Sequence, residues 1–149
     1  MDEPMVRILR GVLMVGATGI VQASAQLLLM HLVDILPLPR ASNWPRLVMI
    51  SHSVVAVLVL MSGHLIQVAL WALLYHFAWG EFQTFYGALY FSLASFTTVG
   101  AGELNLTPAH RMVGALESAA GMLMFGWSTA LLVRVVLRSE RSETQGGTS

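Results

Sequence analysis

The chain has 149 residues, 56% of them hydrophobic and only 11% charged, with a formal net charge of zero. A soluble domain of this size carries about 25% charged residues, so the deficit points to lipid rather than water as the solvent. All eight basic residues are Arg, with no clustered basic surface of the kind nucleic-acid binding needs. The lack of Cys excludes disulfides, thiolate metal sites and cysteine nucleophiles.

Residues 11–33, 47–80 and 82–102 contain no Asp, Glu or Arg, and residues 112–133 contain one acid, Glu117. Each run approaches or exceeds the roughly 20 residues that cross a hydrocarbon core. The first helix is predicted over about 5–36, ended by Pro37 and Pro39. Arg7, Arg10 and the small run Ala23-Ser24-Ala25 imitate a signal peptide. The apolar sequence, however, continues through Leu27 to Leu36, which predicts a retained membrane helix. A polar loop with Arg40, Ser42, Asn43 and Arg46 follows. The second helix starts near Pro45 with Asn43 as a cap and runs to about Trp79. Trp71, Tyr75 and Trp79 at its far end suit an aromatic belt.

Gly80 and Glu81 break the pattern. Residues 82–96 then read as a short helix, and Thr97-Thr98-Val99-Gly100-Ala101-Gly102 as an extended return, because two glycines one residue apart make a poor helix interior. Together they predict a re-entrant loop, irregular backbone that membranes tolerate only against protein or water. Thr107 as cap and Pro108 in the first turn predict the last helix, to about Arg138, before a polar, disordered tail over 139–149. Three crossings put the termini on opposite sides. Arg40, Arg46, Arg134, Arg138 and Arg141 outnumber Arg7, Arg10 and Arg111, which favours the N-terminus outside and the C-terminus inside.

A cation crossing a membrane exchanges its water shell for oxygen ligands, and rings of backbone carbonyls supply them when several chains bring a strand to one axis. Gly100 and Gly102 permit the left-handed angles that turn successive carbonyls the same way. The Thr98 hydroxyl adds a further ring, and the C-terminus of the short helix carries about half a negative charge toward a waiting cation. The predicted ion-binding filter is therefore Thr98, Val99, Gly100, Ala101 and Gly102, with a cation held at Thr98 to Ala101.

Phe91-Ser92, the string from Thr97 to Glu103, Pro108, and a helix bearing Glu117 and Gly121 resemble the pore module of potassium channels. The likeness is to the small bacterial ion-channel family of the two-transmembrane-pore type. It extends to His64, Trp71 and Tyr75 and to the run from Gly121 to Ala130, covering about the last 85 residues. It implies an all-α membrane protein with three transmembrane helices, a pore helix and a filter loop, assembled as a homotetramer in a bacterial inner membrane. It also implies passive conduction of monovalent cations, no enzyme activity and no cofactor beyond bound K+ or Na+. The domains expected are an N-terminal helix and loop (1–45), a pore module (46–138) and the tail (139–149).

The family's filter reads Thr-Val-Gly-Tyr-Gly-Asp, whereas this chain has Ala101 for Tyr and Glu103 for Asp. In the family that tyrosine braces the filter against pore-helix aromatics. Its loss implies weakened potassium selectivity, with Tyr90 and Phe91 left as cuff residues. Glu103 is expected either as a carboxylate ring at the outer mouth or as a cap or partner of Arg111. Glu117 is read as filter support, protonated or hydrogen-bonded to Ser95, Thr97 or Gln67, with ion or proton sensing as the alternative. Thr97 and Ser95 belong to the same support. Gly121 is a hinge or a packing notch, and Ser128 and Thr129 line a cavity or bond back to their helix. Two rival functions stand beside the channel. One is a non-conducting channel-fold subunit, kept open by Ala101; the other is a small haem protein ligated by His31 and His52.

Overall fold

The computed structural model describes residues 3–35 and 45–144. Helices α1 (Glu3–Ile35), α2 (Pro45–Leu73), α3 (Phe85–Phe96) and α4 (Arg111–Thr144) carry the chain, and a π-helical turn, Leu74–Ala78, completes α2. No strand occurs among the described residues. Three helical stretches, Glu3–Ile35, Leu47–Ala78 and Arg111–Leu137, are long and apolar enough to cross a membrane. Leu13, Ile20, Leu27, Leu58 and Leu123 are each more than 60% exposed on them. Water would penalise that surface, and acyl chains do not.

The three long helices match the expected spans, with differences at their ends. Pro37, Pro39, Arg40, Ser42 and Asn43 lie outside the described residues. α4 continues to Thr144, so the first part of the expected disordered tail is helical. Residues 139–144 contain Glu and Arg but neither Gly nor Pro, which is enough to extend an existing helix. Residues 145–149 lie outside the described set. The start of α4 also moves: Thr107 to His110 form a turn, and the α-helix begins at Arg111. Thr107 does not cap it, because its hydroxyl donates to Glu81 Oε1 at 2.6 Å.

The chain divides into two compact units, each using segments of all three long helices. The first comprises Met1–Val21 and His64–Phe125. Its core joins Val68, Trp71 and Tyr75 to Phe91 and Phe96 of α3 and to Val113 and Met124 of α4. Tyr75 lies 5.5 Å from Phe91 at 86°, an edge-to-face pair, and Phe82 is 5.2 Å from Phe91. α3 is capped by Thr84, whose hydroxyl accepts from Gly87 N at 3.1 Å. Of the residues expected within this helix, 82 and 83 precede that cap and Thr84 forms it. The second unit, Gln22–Gly63 and Gly126–Ser149, is cored by Leu29, Val33, Ala56, Leu60, Leu131 and Val135. In it Gln22 donates to Ser128 Oγ at 2.9 Å, and Trp127 Nε1 donates to Gln26 at 2.8 Å.

Gly121 marks the tightest packing in the first unit. A Cβ there would stand 2.0 Å from the carbonyl oxygen of Phe96, the last residue of α3. The obstacle is backbone, which cannot rotate aside. Gly121→Ala should therefore lower the thermal stability of the detergent-solubilised protein by about 1–3 kcal/mol or more. Gly16→Ala, where a Cβ meets nothing within 4 Å, should leave the melting temperature unchanged or slightly raised.

Candidate pore loop and its support

The segment after α3 is irregular, with left-handed angles at every second residue: φ is 61° at Thr98, 88° at Gly100 and 62° at Gly102. Glycine takes such angles freely, whereas a β-branched residue pays of order 1–3 kcal/mol. Thr98 is the only non-glycine in the described residues with positive φ. It holds the position just past the helix cap at Thr97, where a left-handed residue commonly ends a helix. Strain of this kind persists only where surrounding bonds impose it. Here Thr98 N donates to Ser95 O at 3.0 Å and Gly100 N to Ala94 O at 3.1 Å, folding the loop back beneath α3.

The carbonyls of Thr98, Val99 and Gly100 accept no hydrogen bond among the described residues. That of Ala101 takes Leu104 N at 3.2 Å on one of its two lone pairs. Val99 is 82% exposed, although apolar. The Ala101 side chain packs against the core cluster that contains Tyr75 and Phe91. Of the two cuff residues, Tyr90 is half exposed, while Phe91 is buried among Tyr75 and Phe82. Glu103 is exposed, and its carbonyl accepts from Asn105 at 3.4 Å. Arg111, its suggested partner, instead donates to Leu106 O.

Behind the loop, Glu117 is fully buried and linked to residues other than those expected. Tyr75 Oη donates to Oε2 at 2.8 Å, and Ser92 Oγ lies 2.5 Å from Oε1. Ser92 stands one turn before Ser95 on α3. The carbonyl of Ser95 is taken by Ser118 Oγ at 2.8 Å, and the Thr97 hydroxyl bonds back to Leu93 O at 2.8 Å. Ser92 also reaches Val68 O at 2.9 Å. A serine hydroxyl has one proton, so both contacts are hydrogen bonds at once only when Glu117 carries a proton and donates it to Ser92. One carboxyl thus joins α2, its π turn, α3 and α4.

A second cluster joins the end of α2 to the turn before α4. Gly80, at φ 62°, ends the helix, and Glu81 N donates to Tyr75 O at 2.9 Å. The Glu81 carboxylate accepts from Thr107 N at 2.8 Å, from the Thr107 hydroxyl, and from His110 Nδ1, an ion pair when that ring is protonated. Trp79 stacks on His110 with centroids 4.1 Å apart and planes 9° from parallel. The residue pattern gave one signal for this cluster: Glu81 is the sole acid between Asp34 and Glu103.

A short helix entering between two spans, then an irregular loop with unbonded carbonyls, defines a pore-loop membrane protein. The family model for ion channels of the two-transmembrane, potassium-channel-like type matches residues 54–138, more than half of the chain. The chain belongs to this ion-channel family and is an integral membrane protein. No curated protein and no solved structure matches it. The matched region takes in α3, the loop and α4 up to Arg138; α1 lies outside it.

Glu117→Ala leaves the buried Tyr75 hydroxyl without its partner, at about 1–3 kcal/mol, and leaves Ser92 with Val68 O alone. It should lower the melting temperature sharply, whereas Glu117→Gln, which keeps an acceptor and a donor, should recover most of the loss. For Glu81, burial pushes the carboxyl up, but hydrogen bonds from the Thr107 hydroxyl and amide and from His110 outweigh it and hold it below the ordinary range. A carboxyl with a depressed folded value stabilises fully above its unfolded value, about pH 4.3. That contribution is lost as pH falls through the folded value. Melting measured from pH 6 to 3 should show this decline, and Glu81→Gln should start lower and flatten it.

Proposed function

We propose that this chain forms a homotetrameric, potassium-channel-like pore that conducts monovalent cations passively through the carbonyls of Thr98 to Gly102. The observation that carries this reading is the run of unbonded carbonyls at Thr98, Val99 and Gly100, with left-handed angles alternating through Gly102. Alternating left- and right-handed residues turn successive carbonyls toward one side, where a dehydrated cation finds stacked oxygens. One loop encloses nothing by itself, and the exposure of Val99 suits a wall completed by other copies. Glu103 forms a carboxylate ring that concentrates cations at the mouth. Glu117, through Ser92 and Tyr75, braces α3 from behind, with Ser95, Thr97 and the exposed Tyr90 completing the support. Gly121 acts as the point about which α4 moves.

Ala101 sets the selectivity. Its methyl packs toward the core but reaches no hydrogen-bonding partner, so the loop lacks the phenol that holds the family's filter open at one diameter. Selectivity for potassium over sodium is accordingly reduced. The membrane is a bacterial inner membrane, with the N-terminus outside and the Arg-rich end of α4 in the cytoplasm.

Proteoliposomes containing only this chain should pass potassium and sodium, with a reversal potential in mixed ions that shows weaker discrimination than a Tyr-containing filter. Ala101→Tyr should raise the potassium preference. Intact tetramers without flux would support the non-conducting subunit instead.

A further inference from the structure

α1 is not accounted for by the ion-channel match, yet its first turns build one wall of a cleft of about 390 Å³. Glu3, Val6, Arg7 and Arg10 form that wall; Ala78, Trp79 and His110 face them. Arg7 and Arg10 are three residues apart and so share a helix face. Arg7 donates to Glu3 at 2.8 Å, but Glu3 is 85% exposed, and a surface pair of this kind is weak and exchangeable. Arg10 makes no hydrogen bond or ion pair among the described residues. His110 uses Nδ1 toward Glu81 and Thr107, which leaves Nε2 as its remaining polar atom. The cleft thus offers two guanidinium forks and an imidazole against a single, already exposed carboxylate.

Its setting selects among anions. The cleft lies where α1 and α4 begin and α2 ends, at the margin of all three candidate spans. Trp79 is the kind of side chain that settles at headgroup depth. Along α1 from the cleft run the exposed apolar side chains of Met5, Ile8, Leu9, Val12 and Leu13, and Phe77 is 72% exposed beside Ala78. A ligand matching these features carries an anionic oxygen head and long apolar tails. Guanidinium forks fit phosphate oxygens bidentately.

We propose that this cleft binds the phosphate of an anionic phospholipid, with Arg7 and Arg10 as its ligands and Trp79 and His110 as the opposing wall. Because His110 also holds Glu81 and Thr107, the bound headgroup contacts the same cluster that fixes the chain between the pore loop and α4. This inference concerns α1 and does not depend on ion conduction.

The test is lipid retention by the full-length protein, purified in detergent and exchanged into mixed micelles of phosphatidylglycerol and phosphatidylcholine, then read by native mass spectrometry. Phosphatidylglycerol should be retained in preference. The preference should fall about fivefold for each Arg removed, from about 1 kcal/mol per basic residue at a membrane surface. Arg10→Gln is the first variant because Arg10 has no structural partner to lose; Arg7→Gln/Arg10→Gln should abolish the preference. Arg134→Gln, toward the far end of α4, should keep it. Equal retention of the two lipids by the unaltered protein, or equal losses in the Arg10 and Arg134 variants, would overturn the proposal. Inorganic phosphate that displaces phosphatidylglycerol at millimolar concentration would overturn the lipid assignment and make the cleft a site for soluble phosphate.

Discussion

The Glu117 carboxyl is the contact on which the channel-like half of this molecule depends. It is fully buried, it is reached by Tyr75 from the π turn and by Ser92 from α3, and Ser92 touches the α2 backbone at Val68. An ionisable group in an apolar interior is costly unless its oxygens are matched, and here each has a hydroxyl. The match requires that α2, α3 and α4 hold one mutual register. The π turn is part of that solution: five residues of wider helix carry Tyr75 fully into the core before Gly80 ends the run. Aromatic packing of Tyr75 on Phe91 and of Phe91 on Phe82 then fills the space around the polar link.

Much of this was legible in the residues, for identifiable reasons. Long uncharged runs and the prolines at 37, 39 and 45 mark helices because a bilayer leaves few other options for the backbone. Gly100 and Gly102 mark the loop because left-handed angles are needed there, and both have them. Glu117 was conspicuous as one acid in an apolar helix, but its partners were not. Ser92 and Ser95 are one turn apart on α3, and only the actual rotation of that helix decides which faces α4. The left-handed angle at Thr98 was invisible, since nothing in a threonine announces a conformation it disfavours. The bond from Thr107 to Glu81 was likewise hidden, because a threonine before a proline looks like a helix cap until a distant carboxylate claims it.

The loop itself lies between two anchors of different kinds. At its start, the amides of Thr98 and Gly100 are tied to the last turn of α3, and the price is a threonine in strained backbone. Past its end, the Glu81 carboxylate clasps Thr107 and His110, polar groups exchanging hydrogen bonds at the margin of the spans. Between the anchors, Val99 and Gly100 have little around them in the single chain: Val99 is exposed, and a Cβ on Gly100 would meet nothing within 4 Å. A segment so firmly held at both ends and so bare in the middle is shaped by whatever is brought against it.

The contact between Gly121 and Phe96 has a mechanical meaning. Most helices meet through side chains, which rotate, compress and so absorb part of any displacement. Here the α4 backbone stands where even one methyl group would strike the carbonyl oxygen that closes α3. Nothing compliant lies between them. A tilt of α4 at that level cannot be damped before it reaches the end of α3, so it passes undiminished to the base of the loop that follows.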